Sequence, residues 1–141
     1  MENEQIARAF FMAYTSHRVD EMEALCTPGA TFDYVPYGDQ GKGTVKQEGV
    51  STWSTLVEAF PDFKAVVQNT MTTVGGDVIV EAVLSGTQAK EVFGIPNSGK
   101  FQSCPHLFIM QFNAEGQISH FKGYWDNDTI YAQLNYTQMH N

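Results

Sequence analysis

Apolar residues recur at helical spacing from the start of the chain. Ile6, Phe10, Ala13 and Tyr14 form one stripe, which predicts a first helix from about Glu4 to Ser16. Asp20 followed three residues on by Glu23 has the form of a capping box, and predicts a short second helix stopped near Cys26 by Pro28-Gly29. Thr31 to Val35 reads as a strand. Pro36 to Gly43 carries three glycines and no regular period, which predicts a loop. Thr44 with Gln47 three residues later opens a third helix, in which Val50, Trp53, Leu56, Val57 and Phe60 share a face before Pro61 ends it.

The remaining pattern is mostly β. Lys64 to Val74 and Asp77 to Ala89 are joined by Gly75-Gly76, a tight hairpin signal. Glu91 to Gly99, rich in Gly, Pro and Asn, predicts a second loop. A long strand from Lys100 to Phe112 follows, then a turn at Asn113-Ala114-Glu115-Gly116 and a last strand from Gln117 to Trp125. Ile130 and Leu134 mark a short final helix capped by Asp126 or Asp128. Helices ahead of a meander of strands predict an α+β fold, with an antiparallel sheet because hairpin links are too short for parallel crossovers. Helices on one face of a bent sheet leave a cavity between the two layers.

A length of 141 residues with no repeat fits a single domain over 1–141. Sixteen acidic residues against eight basic ones give a net charge of −8, which argues against nucleic acid or an anionic membrane as partner. The two arginines, Arg8 and Arg18, offer little for clamping an anionic substrate, so a neutral apolar ligand is easier to accommodate. The acidic start, Met1 to Gln5, lacks the pattern of a secretory signal, and a cytoplasmic location is expected. Cys26 and Cys104 are then simplest as free thiols, and Asn127-Asp128-Thr129 and Asn135-Tyr136-Thr137 carry no meaning as glycosylation acceptors.

Three segments are familiar. Ala59-Phe60-Pro61-Asp62-Phe63, then Ser85-Gly86-Thr87-Gln88 with Phe93 to Lys100, and Gly116-Gln117-Ile118 to Tyr124-Trp125-Asp126 resemble the SnoaL-like polyketide cyclase family. That family belongs to the nuclear-transport-factor-2-like superfamily. The resemblance covers nearly the whole chain and implies a cone-shaped, strongly bent antiparallel or mixed sheet wrapped around the N-terminal helices. It also implies a homodimer paired through the outer face of the sheet. In cyclases of this family an Asp on the last strand is the general acid/base. Counting from Gly116 and Asp126 places Gly123 there, and the family's partner His falls at about Phe108. Tyr14 matches an aromatic position facing the cyclase pocket.

His106 is the strongest polar candidate, since Cys104, His106, Phe108, Met110 and Phe112 alternate on one face and the others are apolar. It serves either as a general base or as a hydrogen-bonded core histidine. Asp33 is a candidate to orient it or act as acid itself, or else bonds a local backbone amide. Tyr14 and Tyr34 are candidate donors to a developing oxyanion, or core tyrosines with a wet hydroxyl. Trp53, Phe93, Phe108, Met110, Phe121 and Trp125 are candidate ligand-binding walls. Asp126 reads as a cap, His120 as facing solvent or a partner subunit, and His17 and His140 as exposed. The histidines lack metal-ligand spacing, and no phosphate loop, nucleophile elbow or dinucleotide fingerprint is present, so no metal or cofactor is expected.

The leading functional expectation is a domain binding a small, largely apolar cyclic or polyketide-like molecule. Cofactor-free isomerase or lyase chemistry would use His106, Asp33 and Tyr14. The alternatives are a non-catalytic binding or accessory protein, and a cofactor-free epoxide hydrolase, whose Asp-Arg-Asp arrangement the two arginines hardly allow.

Overall fold

A computed structural model of the chain describes residues 2–136. The first apolar stripe becomes α1, Asn3–Thr15, with Ile6, Phe10, Phe11 and Tyr14 buried. Its last residue ties it to the sheet, where Thr15 Oγ1 accepts from Ala65 N at 2.9 Å and donates to Ala65 O at 3.1 Å. His17 takes a left-handed backbone (φ 61°), and Arg18 N bonds back to Ala13 O at 2.8 Å. The chain therefore enters α2 at once, over Val19–Ala24. This corrects the expected Asp20–Glu23 capping box: Asp20 lies inside the first turn, where its charge meets the positive end of the helix dipole but caps nothing.

Strand β1, Cys26–Tyr34, starts earlier than the pattern predicts. Pro28-Gly29 does not stop a helix. It sits within the strand, where the pairing register shifts between Cys26 and Thr31, and a bulge of this kind tolerates a residue without an N–H. The glycine-rich segment after it winds into a kinked 3₁₀ turn, Val35–Gly41, and a three-residue strand β2, Lys42–Thr44. Thr44 does cap the following helix, its Oγ1 accepting from Gln47 N at 3.3 Å. The first turn is π-wound over Val45–Gly49, so the carboxylate that returns to Thr44 N, at 2.9 Å, is Glu48. Helix α3 then runs Val50–Ala59 with Trp53 fully buried.

The remaining strands are β3, Lys64–Thr72, β4, Val78–Thr87, β5, Phe101–Phe112, and β6, Ile118–Trp125; helix α4, Asn127–Gln133, closes the described chain. Both hairpin turns use the same device. Thr73 N bonds Asp77 O and Gly76 N bonds Thr73 O, with Asn113, Gln117 and Gly116 repeating the pattern. Gly76 and Gly116 take φ of 92° and 78°, a conformation that costs a residue with a Cβ.

The six strands form one curved, unclosed sheet in the order β2-β1-β6-β5-β4-β3. It is mixed, because β1 and β6 run parallel while the other pairs are antiparallel. The hairpin argument holds for β3 to β6, but β1 joins β6 across most of the chain. Val80, Ala82, Phe108, Met110 and Phe121 bury toward the helices, while Val66, Glu81, Gln111 and Lys122 point to the outer face. No helix among the described residues is long and apolar enough to cross a membrane.

Candidate functional site

The curvature of the sheet over α1 and α3 leaves a cavity of about 580 Å³. Phe10, Phe11 and Tyr14 line it from α1, and Leu56 and Phe60 from the end of α3. Val92, Phe93 and Ile95 of the second loop and Ile130 of α4 also line it.

His106 lies on this wall, and its ring is stacked between Phe108, at 5.7 Å between centroids, and its cross-strand partner Trp125, at 4.8 Å. Its Nδ1 is 2.9 Å from Cys104 O. A carbonyl can only accept, so Nδ1 carries the proton and Nε2 is left as a bare acceptor. Burial pushes the imidazole pKa down to about 4, against the opposing pull of the Cys104 carbonyl. At neutral pH the ring is uncharged.

Tyr34 and Tyr14 supply hydroxyls on the same side. Trp53 Nε1 donates to Tyr34 Oη at 2.7 Å, which leaves the Tyr34 proton free to point elsewhere. Burial raises both phenols above their ordinary pKa, with Tyr34 adding to the effect on Tyr14. Both stay protonated donors. Gly123 lies directly opposite Phe108, and a Cβ there would sit 3.1 Å from both Phe108 Cε1 and Tyr34 Cδ1.

His106, Tyr14, Tyr34, Phe93, Phe108, Phe121 and Trp125 thus all border the cavity, whereas Asp33, Trp53 and Met110 do not. Asp33 alternates with Phe32 and Tyr34, so it points outward, beside Lys122 on β6. It cannot orient His106, which is also two strands away. Trp53 acts from behind, by fixing the Tyr34 hydroxyl, and Met110 is sealed in the core. His120 is on the outer face, its Nδ1 2.7 Å from Thr31 Oγ1; burial, then Lys122, lowers its pKa while Asp33 opposes them. Asp126 caps α4, Oδ1 accepting from Asp128 N at 3.1 Å. His17 is exposed, with Nε2 at 3.1 Å from Phe63 O, and His140 lies outside the described residues.

Gln102 borders the cavity and was not singled out from the sequence. Extending the Cys104–Met110 alternation two residues toward the N-terminus would have found it. Among the described residues, the buried polar side chains are Gln88, Gln102 and His106, with no buried carboxylate, lysine or arginine. Nor do they hold a group of three His, Cys, Asp or Glu residues able to bind a metal.

A profile of the SnoaL-like domain family matches residues 7–121, and the chain belongs to that family. A search of curated proteins returns no match. Among solved structures, IdmH of Streptomyces antibioticus, provisionally assigned as a polyketide cyclase, superposes with a TM-score of 0.79 at 25% identity, covering 96% of this chain and 99% of its own. A provisionally assigned SnoaL-like polyketide cyclase from Jannaschia sp. CCS1 gives 0.81 at 20%, covering 96% and 93%. A protein of ketosteroid isomerase-like fold from Catenulispora acidiphila gives 0.75 at 16%, covering 94% and 93%.

The segments that carry the family resemblance do structural work here. Asp62 accepts from Thr87 N and Oγ1 at 2.6 and 2.8 Å. Gly86 lets Phe60 approach so closely that a Cβ would meet it at 2.8 Å. Gln88 pins the second loop, its Nε2 donating to the carbonyls of Lys90, Ile95 and Pro96 and its Oε1 accepting from Ser98 N and Oγ. Such residues specify the cone without specifying its chemistry.

Proposed function

We propose that this protein binds a small, neutral, largely apolar ring-containing molecule in the cone, without a cofactor, and that binding rather than cyclisation is its role. The observation that carries this is the cavity wall: mostly aromatic and aliphatic side chains around an uncharged imidazole and four phenols, with its two charged groups, Lys42 and Glu48, exposed and no buried carboxylate among the described residues. A volume of about 580 Å³ suits a ligand of a few fused or linked rings. The ligand would set a hydroxyl against His106 Nε2 and accept from Tyr34 or Tyr14.

Acid–base catalysis by His106 is the second reading, favoured by its bare Nε2. A base with a pKa near 4 is weak, however. Epoxide hydrolysis has less support, because Arg8 bonds Thr70 and Arg18 bonds Glu21, both away from the cavity.

Trp125 borders the cavity, so ligand entry should quench its fluorescence. Titration with biphenyl and with 4-phenylphenol is expected to show saturable one-to-one quenching that Trp125→Phe removes. Failure of both probes to bind overturns the proposal. We also propose a homodimer through the outer face, where Val66 and Tyr124 are exposed.

A further inference from the structure

Two buried glutamines in this protein differ in one respect. Gln88 satisfies both ends of its amide within the loop it pins. Gln102 is 5% exposed, and its Oε1 is fully buried with no hydrogen-bond partner. An orphaned buried amide of this kind costs about 1–3 kcal/mol. Nothing in the packing of β5 requires it. A leucine of similar size would fill the same wall without that cost.

We propose that Gln102 is a ligand-recognition residue, the second polar anchor of the cone, and that the ligand carries a hydroxyl at each end of an apolar ring system. His106 holds one hydroxyl and Gln102 the other. The proposal rests on the cone being a binding pocket, and adds which molecules it selects. Gln102 and His106 lie on the same face of β5, four residues apart, which separates their backbones by about 13 Å. Between them on that face of the strand lies the buried thiol of Cys104. Both free atoms are acceptors: Nε2 of His106, because Nδ1 is committed to Cys104 O, and Oε1 of Gln102. A ligand hydroxyl can donate to either acceptor, so a diol satisfies both. The terminal torsion of glutamine is soft, so rotation of the amide can present the oxygen to a bound hydroxyl.

Gln133 of α4 accepts from Ser103 N at 2.7 Å and donates to Ser103 O at 2.9 Å, which latches the helix over β5 next to Gln102. On the other side Gly86 pairs with Gln102, and Phe60 packs against that glycine.

The test compares 4-phenylphenol with 4,4′-biphenol, which differ by one hydroxyl, on the unmodified protein, Gln102→Leu and Gln102→Met. The unmodified protein should bind the diol about tenfold more tightly, the worth of one added hydrogen bond in a closed site. Both variants should lose that gain, bind 4-phenylphenol within about twofold of the unmodified protein, and melt at the same or a higher temperature. Equal affinity of the unmodified protein for the two probes overturns the proposal, as does a gain that survives in either variant. Because the first comparison needs no variant, poor folding of one leaves the test intact. If neither probe binds at all, it is the binding role of the cone that fails.

Discussion

His106 and Trp125 face each other across the β5–β6 pair with ring planes 20° apart, and the indole takes from the imidazole the water that would stabilise its charge. The folded protein therefore resists protonating His106 down to about pH 4, whereas an unfolded chain protonates it near 6.5. Folding is favoured in full above pH 6.5, and this contribution is lost as pH falls through that window toward 4. The whole effect is about 3 kcal/mol. Urea denaturation at pH 7.5 and 4.5 should show the unmodified protein losing about 2 kcal/mol more than His106→Phe. Parallel losses would mean that the ring is hydrated.

Tyr34→Phe removes the acceptor of Trp53 Nε1, an N–H on a side chain with no solvent exposure. The expected cost is about 1–3 kcal/mol, since the donor stays buried without a partner. Trp53→Phe should reduce the further cost of Tyr34→Phe to a few tenths of a kcal/mol. A double-mutant cycle by chemical denaturation reads this coupling, and additive losses would show that the bond contributes nothing.

How legible this arrangement is in the sequence depends on the range of the forces involved. The stripe of α1 and the glycine turns at Gly76 and Gly116 are local, and they fall within a residue or two of their predicted places. His106 could be placed because Cys104, Phe108 and Met110, its neighbours on one face of the strand, are apolar and buried. The alternation of Phe32, Asp33 and Tyr34 holds equally clear information: it turns Asp33 to the face opposite the two rings. The parallel pairing of β1 with β6 and the bulge that absorbs Pro28 depend on contacts about 90 residues apart in sequence. No local period encodes those. Gln102 is harder to read, because an amide at the start of a strand looks like an edge residue although it is buried in the fold.

The outer face should carry the dimer contact. Val66 is 50% exposed and Tyr124 37% exposed there, a cost that a second copy would remove. Light scattering at micromolar concentration is expected to give twice 15.7 kDa. Val66→Lys combined with Tyr124→Lys should shift it to a monomer while leaving probe binding in the cone unchanged. A monomeric unmodified protein excludes the interface.

The last prediction is that the protein does not catalyse the aldol cyclisation for which its family is named, and that Gly123 is the reason. That reaction requires a group that removes a proton next to a carbonyl and returns one, in contact or through one water. Gly123 pairs with Phe108, and by the family resemblance these are about the positions of the cyclases' acid/base pair, so neither would supply a titratable group. Gly123→Asp would put a Cβ 3.1 Å from Phe108 and Tyr34, so both rings must yield slightly, and the carboxylate would enter an apolar layer. Its pKa should rise above the usual range for Asp, because burial disfavours the charged form. The sign of the pH effect follows. A carboxyl whose folded pKa is raised costs least when protonated in both states, and the penalty grows as pH climbs above about 4 toward the folded value. Gly123→Asp should accordingly lose about 1–3 kcal/mol more at pH 8 than at pH 4, whereas Gly123→Asn should show the same steric cost at both. Assayed on a polyketide methyl ester, the unmodified protein should show no turnover, and any activity should arise only in Gly123→Asp. Turnover by the unmodified chain that survives in His106→Phe would place the acid/base group outside the wall built by β5 and β6.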